Sequence, residues 1–97
     1  MTEEKVLNNL DPGIRREVEV LRRGGIDTFE SCQGGDGHPC PEPFVRFHGE
    51  YSEGFKALSV ALEHDLRVSA LRRVYEIQDG ELVGPWWELI FIPTTIV

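Results

Sequence analysis

Apolar side chains recur at helical spacing in two segments of the chain, and each segment carries a signal for a helix start. The first stripe follows Asp11-Pro12, where Asp11 can accept hydrogen bonds from free backbone amides and Pro12 suits the first helical position. The stripe consists of Ile14, Val18 and Leu21. Gly24-Gly25 predict a left-handed helix end, since glycine adopts positive φ without steric cost. We therefore expect a first helix from Pro12 to the two glycines.

The second helical segment begins at Ser52, a residue type that caps helix starts. Its apolar residues recur every three or four positions, which predicts the buried stripe of an amphipathic helix. These residues are Phe55, Leu58, Leu62 and Leu66.

Four further segments favour β-strands because they are rich in β-branched and aromatic residues. The predicted strands are Ile26 to Cys32, Phe44 to His48, Leu71 to Gln78 and Trp86 to Ile92. Asp79-Gly80 predicts a tight hairpin between the third and fourth strands, since both residues tolerate positive φ. Gly84-Pro85 predicts a break before the fourth strand. That strand is apolar on both faces, so we expect it at the centre of the sheet or with its second face against a partner, as in a homodimer.

The order helix–strand–strand thus occurs twice in a chain of 97 residues, which is long enough for one domain. Elements in this order pack as layers that bury their apolar faces against each other. We predict a single α+β domain over residues 1–97. It is a two-layer sandwich, with two helices on one face of a mostly antiparallel four-stranded sheet.

The charge balance limits the partners of the protein. The net charge of −7 opposes generic binding to nucleic acid or to anionic membranes. No apolar run approaches the roughly 20 residues that span a bilayer, and the first residues lack the features of a signal peptide, so we expect a cytoplasmic protein. Eight of the ten cationic residues are arginine. Because the planar guanidinium suits carboxylate and phosphate, a local anion site is compatible with an acidic chain.

Residues 33–43 predict a polar loop between the first two strands, since their prolines and glycines interrupt regular structure. Its glycines allow the backbone to turn with positive φ and to present successive amides to an anion as a nest. Arg46 lies on the strand that returns from the loop, and Trp86 offers a stacking surface if it is exposed nearby. The predicted ligand-binding residues are Ser31, Gln33, Gly34, Gly35, Asp36, Gly37, His38, Arg46 and Trp86.

Two other chemistries draw on the same loop. Cys32, His38, Cys40 and His48 are four zinc donors, although their spacing differs from that of zinc fingers. Alternatively, Cys32 acts as a nucleophile on an amide or ester, with His38 or His48 as base and Glu30 orienting the histidine. A disulfide between Cys32 and Cys40 is compatible with their positions but disfavoured in a reducing compartment.

The chain also resembles a group of small, mostly uncharacterised proteins from bacteriophage and bacterial genomes. In them a helix beginning near "DPxI" leads into a "TxESCxGGxGH"-like loop, as Asp11 to Ile14 and Thr28 to His38 do here. The resemblance covers about the first half of the chain and implies no catalytic residues. Ser31-Cys32 and the following glycines are also similar to the Ser-Cys-Ser-Gly segment of wybutosine-synthesis methyltransferases, with glutamine in place of the second serine. This second likeness implies only a strand-to-loop geometry.

We therefore expect a non-enzymatic binding protein that holds a small anionic or nucleotide-like ligand at the loop from Ser31 to His38 and needs no cofactor. The phage-like resemblance implies an accessory or counter-defence factor, for which a host protein is an alternative partner. A cysteine-dependent hydrolase using Cys32 and a zinc-stabilised interaction domain remain open alternatives.

Overall fold

The computed structural model describes residues 12–35, 37–38 and 40–93. This part of the chain repeats the order helix–strand–strand, as the sequence predicts. The elements are α1 (Arg15–Arg23), β1 (Thr28–Cys32), β2 (Phe44–Phe47), α2 (Tyr51–Glu63), β3 (Val68–Gln78) and β4 (Glu81–Phe91). The predicted α+β class is confirmed.

The four strands form one antiparallel sheet in the order β1-β2-β4-β3. β2 and β4 therefore lie in its interior, and the predicted central place of β4 is confirmed. In the register of the two interior strands, Val45 lies opposite Leu89 and Phe47 opposite Trp87. These four side chains are buried, because they belong to the face on which the helices pack.

The core lies between this face and the inner sides of the two helices. α1 and the residue before it contribute the predicted stripe of Ile14, Val18 and Leu21, and α2 contributes Ala57 and Ala61. Gly54 of α2 lies directly against the ring of Trp87, where an added Cβ would come within 2.6 Å of the ring carbon Cη2. The indole Nε1 of Trp87 donates to the carbonyls of Gly49 and Glu50 just before α2. Trp87 thus fixes both the position of α2 and its distance from the sheet.

Both helices end in the same hydrogen-bonded turn, in which one residue takes the left-handed conformation. After α1 that residue is Gly25, with φ 87°, and the Ile26 amide donates to the Leu21 carbonyl at 3.0 Å. After α2 it is Asp65, with φ 57°, and the Leu66 amide donates to the Ala61 carbonyl at 2.9 Å.

The likeness of the two halves continues beyond these turns. The Asp27 carbonyl accepts from the His48 amide at 3.1 Å, and the Arg67 carbonyl accepts from the Ile92 amide at 2.8 Å. Each half therefore clamps the residue before its first strand to the residue that follows its second strand. The chain repeats a backbone plan although the sequence shows no clear repeat.

The start of α1 differs from the prediction. The helix begins at Arg15 rather than Pro12, and its N-cap residue, Ile14, makes no side-chain capping hydrogen bond. Pro12 and Gly13 form a turn before it, and the predicted cap at Asp11 lies outside the described residues. The Gly13 amide donates instead to the side-chain oxygen of Gln33 at 2.9 Å. This distant side chain holds the turn before α1 and does not cap the helix itself.

The buried stripe of α2 also differs from the prediction. Phe55 and Leu62 are 64% and 58% exposed, whereas Gly54, Ala57 and Ala61 are buried. The helix lies so close to the sheet that only small side chains fit between them. α2 also begins at Tyr51, one residue before the predicted cap, Ser52.

The strand boundaries differ most in the second half of the chain. β3 begins at Val68 rather than Leu71, and β4 begins at Glu81 rather than Trp86. β4 passes through Gly84-Pro85 as a bulge rather than breaking there. The predicted hairpin at Asp79-Gly80 is confirmed, with φ 52° and 79°.

Candidate functional site

The sheet face turned away from the two described helices is here called the open face, and it carries a set of charged and aromatic side chains. Four charged residues stand in one line across it, one from each strand. Cross-strand register aligns Glu30 with Arg46, Arg46 with Glu88, and Glu88 with Arg72. Opposite charges on directly opposed residues attract each other across a sheet. We call these four residues the charged row.

Arg46 is the centre of the charged row. Its Nε donates to Glu88 at 2.9 Å and its Nη1 to Glu30 at 2.6 Å. Its guanidinium carbon also lies 4.6 Å from the ring centre of Phe44 and 5.7 Å from that of Trp86. Cation–π contacts of this kind hold an arginine in one orientation. The predicted ligand-binding arginine is thus rigidly placed, with two carboxylates already beside it.

An aromatic cluster lies beside the charged row. Phe29 stacks on His48 with ring centres 4.2 Å apart and meets Trp86 edge-on at 6.1 Å. Phe29 and His48 are exposed, and Trp86 is partly buried. The register shift between Thr28 and Glu30 marks a bulge at Phe29, and a bulge turns a side chain out of the regular alternation. We call Phe29, His48 and Trp86 the aromatic cluster.

The glycine-rich loop takes the predicted conformation, but three of its amides already have partners within the loop. Gly34, Gly35 and Gly37 have φ of 72°, 85° and 83°. The Gly34 amide donates to the sulfur of Cys32, the Gly35 amide to the Pro41 carbonyl, and the His38 amide to the Gly35 carbonyl. These three amides serve the loop itself, so they are not available for the predicted anion-binding nest.

Gln33 ties the loop to the first helix. Its side-chain oxygen accepts from Gly13, so its amide nitrogen donates to Nε2 of His38 at 2.9 Å. An added Cβ on Gly13 would come within 2.8 Å of this oxygen. Gln33 and His38, which the sequence predicts as ligand contacts, here brace the loop.

The predicted site residues therefore separate into two groups. Ser31 lies opposite Val45, which is fully buried on the helix side, so Ser31 faces away from the open face. Arg46 and Trp86 meet on the open face, apart from the glycine turn. Asp36 lies outside the described residues.

Cys32 and Cys40 meet at the end of the open face next to the loop. Their sulfurs are 2.7 Å apart, with Cys40 donating, and both are free thiols. Burial raises the pKa of Cys40 to about 11, and the hydrogen bond to Cys32 and its charge add to this rise. A thiol with a raised pKa is a poor nucleophile at neutral pH, which argues against cysteine catalysis from Cys40.

The four predicted zinc donors do not come together. His48 stacks on Phe29, and Nε2 of His38 lies beside Gln33, while Cys32 and Cys40 form a pair. Over residues 12–35, 37–38 and 40–93, no group of three or more histidine, cysteine, aspartate or glutamate residues is placed to hold a metal ion.

Sequence reasoning missed several members of the site. It assigned Glu30 to orienting a histidine, whereas Glu30 pairs with Arg46. It gave no role to Phe29, Glu88 or Arg72. Alternation within the second strand does predict that Phe44, Arg46 and His48 share a face. Their neighbours depend on the strand order, which one sequence does not reveal.

Surface depressions add little to this picture. A groove of about 440 Å³ runs between the helices, but two of its arginines already have partners: Arg23 pairs with Glu19, and Arg16 donates to the His64 carbonyl. A smaller depression of about 100 Å³ lies on the open face between Cys40 and Arg72. The open face is therefore a shallow surface suited to stacking rather than to enclosure.

Comparisons of the chain with protein-family models, with curated proteins and with solved structures each found no match. Among the described residues, no helix is long and apolar enough to cross a membrane. The class of this protein is therefore defined by its own geometry: a two-layer α+β sandwich in which both helices of the described residues pack on the same face of the sheet.

Proposed function

We propose that this is a small, non-enzymatic binding protein that holds a nucleotide-like ligand on its open face. The observation that supports this most is the position of Arg46 between the rings of Phe44 and Trp86, beside the Phe29–His48 stack. Exposed aromatic rings on a sheet stack well with planar rings, and arginine pairs with phosphate or carboxylate. This proposal moves the expected ligand from the glycine loop to the open face, because the amides of Gly34, Gly35 and His38 already have partners within the loop.

The charged row suggests how an anionic ligand could bind Arg46 although two glutamates lie beside this arginine. The Glu30 side chain is 49% exposed, whereas that of Glu88 is 12% exposed. An exposed ion pair is worth only about 0–1 kcal/mol, so the Glu30 contact is easily exchanged. The ligand's anionic group would take the place of Glu30 on Arg46, while Glu88 continues to hold the guanidinium. Glu30 thus acts as an internal stand-in for the ligand.

A thermal-shift series tests the proposal. The probes are nucleoside monophosphates and diphosphates, the matching nucleosides, and inorganic phosphate. A ligand that binds only the folded protein at ten times its Kd stabilises it by about 1.4 kcal/mol, which raises the Tm of a domain of this size by about 5 °C or more. We expect nucleotides to give the largest shift, because they alone combine a ring with an anion. Absence of a shift with every probe at millimolar concentration would overturn the proposal.

Variants separate the two halves of the proposed site. Arg46→Gln is expected to weaken nucleotide binding at least tenfold, since a hydrogen-bonded charge contributes about 1.5–3 kcal/mol. Glu30→Gln is expected to strengthen nucleotide binding, because the competing carboxylate loses its charge.

Phe29→Ala tests the aromatic half of the site and should weaken nucleotide binding through the loss of ring contact. Phe55→Ala is the control, because Phe55 is also an exposed phenylalanine but lies on α2. Unchanged binding in Arg46→Gln would count against the site.

The expected biological role, an accessory or counter-defence factor that sequesters a signal molecule, is compatible with this proposal. Whether the protein only binds the nucleotide is tested by chromatography of the recovered ligand, which should be released unchanged. Conversion of the ligand would identify an enzyme instead.

A further inference from the structure

The outer edge of β3 is the longest regular strand edge on the described surface. The pairing of β3 with β4 has two register shifts. The extra residue of the first is Ser69, near the start of β3, and the extra residue of the second lies on β4, around Gly84-Pro85. Ala70 to Gln78 therefore run as nine unbroken residues of strand without proline or glycine. A long, regular edge is a template for pairing with another strand, and proteins usually blunt such edges.

The other edge of the sheet is blunted. β1 has five residues, and its bulge at Phe29 interrupts the ladder. Within the described residues, neither a bulge nor a short length protects the middle of β3, where Tyr75 and Ile77 are 57% and 66% exposed. The contrast between the two edges indicates that the β3 edge has a partner.

The sequence of β3 is complementary to itself in one antiparallel register. When Val74 lies opposite Val74 of a second copy, Arg72 lies opposite Glu76 and Leu71 opposite Ile77. Arg73 then lies opposite Tyr75, but its guanidinium already lies over Trp87 of its own chain, so this pair adds no charge contact. Each favourable pair occurs twice, since a twofold interface repeats every contact. This register is centred on the middle of the regular stretch.

Neighbouring registers are less favourable. In an antiparallel pair, directly opposed residues point to the same face of the sheet. A twofold axis that relates two β3 strands must therefore pass through one residue position, where that residue lies opposite its own copy. Moving the centre to Arg73 or Arg72 places arginine opposite arginine, and like charges directly opposed are destabilising. Moving it to Tyr75 places Glu76 opposite Val74 and leaves Arg72 without a carboxylate opposite.

The charged partners are available for this pairing. The Arg72 side chain is 61% exposed, and its contact with Glu88 is a long 3.9 Å. Glu76 is exposed and accepts a hydrogen bond from Gln78 on the same strand. The net charge of −7 on each chain opposes association, but distant charges are screened beyond about 8 Å at physiological ionic strength. The two Arg72–Glu76 pairs act within that distance.

We propose that the protein forms a homodimer through antiparallel pairing of the β3 edges, centred on Val74. The twofold axis is perpendicular to the sheet, so the eight strands form one continuous sheet with the four described helices on one face. The two open faces then become a single surface. The interface is small, so the dimer is reversible, with half-association at micromolar concentration. It forms without ligand and does not depend on the proposed nucleotide site.

Sedimentation equilibrium at 0.15 M salt tests this with two charge reversals. Arg72→Glu and Glu76→Arg should each raise the dimer dissociation constant at least tenfold, because they oppose like charges at both pairs. Mixing the two variants should restore association as a heterodimer, and the double variant should again form a homodimer. Circular dichroism checks that each variant folds.

The register is tested separately by cysteine variants. Val74→Cys should form an intermolecular disulfide under oxidised glutathione, which peptide mapping detects, whereas Arg73→Cys should not.

A wild-type chain that stays monomeric up to 0.5 mM, about a hundredfold above the micromolar range expected for a small reversible interface, would overturn the proposal. Dimers that persist equally in both charge-reversed variants would overturn it too, since association would then use another surface. Failure of the mixed variants to associate would exclude the Arg72–Glu76 register.

Discussion

At the scale of single residues, the molecule is governed by close contacts that leave no room for substitution. Gly54 is the sharpest example, because three ring atoms of Trp87 would lie within 2.7 Å of an added Cβ. Cys40 is another, since its partly buried thiol is held against Cys32. Both positions give predictions in which the direction of the effect is set by the environment rather than by the residue type.

Gly54→Ala is expected to destabilise the protein by about 1–3 kcal/mol, the cost of overpacking a core. Helix propensity alone would predict the opposite sign, a gain of about 1 kcal/mol. Chemical denaturation measures the difference, with Ser59→Ala as the control on the exposed side of the same helix. A stabilised Gly54→Ala variant would show that α2 can move away from Trp87.

The raised pKa of Cys40 predicts slow alkylation near neutral pH and a rate that keeps rising toward pH 11, rather than levelling near the ordinary thiol pKa of about 9. The folded state also keeps a proton that the unfolded state loses, so stability should fall as pH rises from 9 to 11. Cys32→Ala should lower the pKa of Cys40 by removing the hydrogen bond. Iodoacetamide kinetics with mass-spectrometric mapping measure this, and a plateau below pH 9 in the wild type would contradict it.

At the scale of elements, the two helix ends use one turn with different residues at the left-handed position. Glycine takes this conformation freely, whereas aspartate accepts it at some cost. Asp65→Gly should therefore stabilise the protein by about 0.5–1 kcal/mol, and Gly25→Ala should destabilise it by about 1 kcal/mol. Denaturation midpoints of the pair test this. Equal effects of the same sign would mean that the turns are not equivalent.

Some features of the helices and turns can be predicted from the sequence and others cannot. The helix end at Gly24-Gly25, the hairpin at Asp79-Gly80 and the positive φ of Gly34, Gly35 and Gly37 follow from glycine and turn chemistry, which acts over a few residues. The buried side of α2 does not, because it depends on how closely Trp87 approaches from β4. The turn before α1 likewise involves a distant contact, since the Gly13 amide donates to Gln33, twenty residues further along the chain.

At the scale of the whole molecule, the strand order decides the site. Once β2 and β4 are neighbours, Arg46 meets Glu88 and Trp86, and the charged row follows from register. The sequence identifies Arg46 and Trp86 individually but places their ligand at the glycine loop, because loop amides are a local signal and cross-strand neighbours are not. The loop instead braces the end of the sheet through Gln33 and the two cysteines.

Tryptophan fluorescence, excited at long wavelength, tests ligand binding on the open face most directly. Trp87 is 5% exposed and gives a constant background, so a ligand ring stacked near Trp86 should change the emission of Trp86 alone. We predict saturable quenching by nucleotides that Trp86→Phe abolishes and Phe55→Ala leaves intact. Quenching that persists in Trp86→Phe, or its absence in the wild type at millimolar nucleotide, would contradict the account.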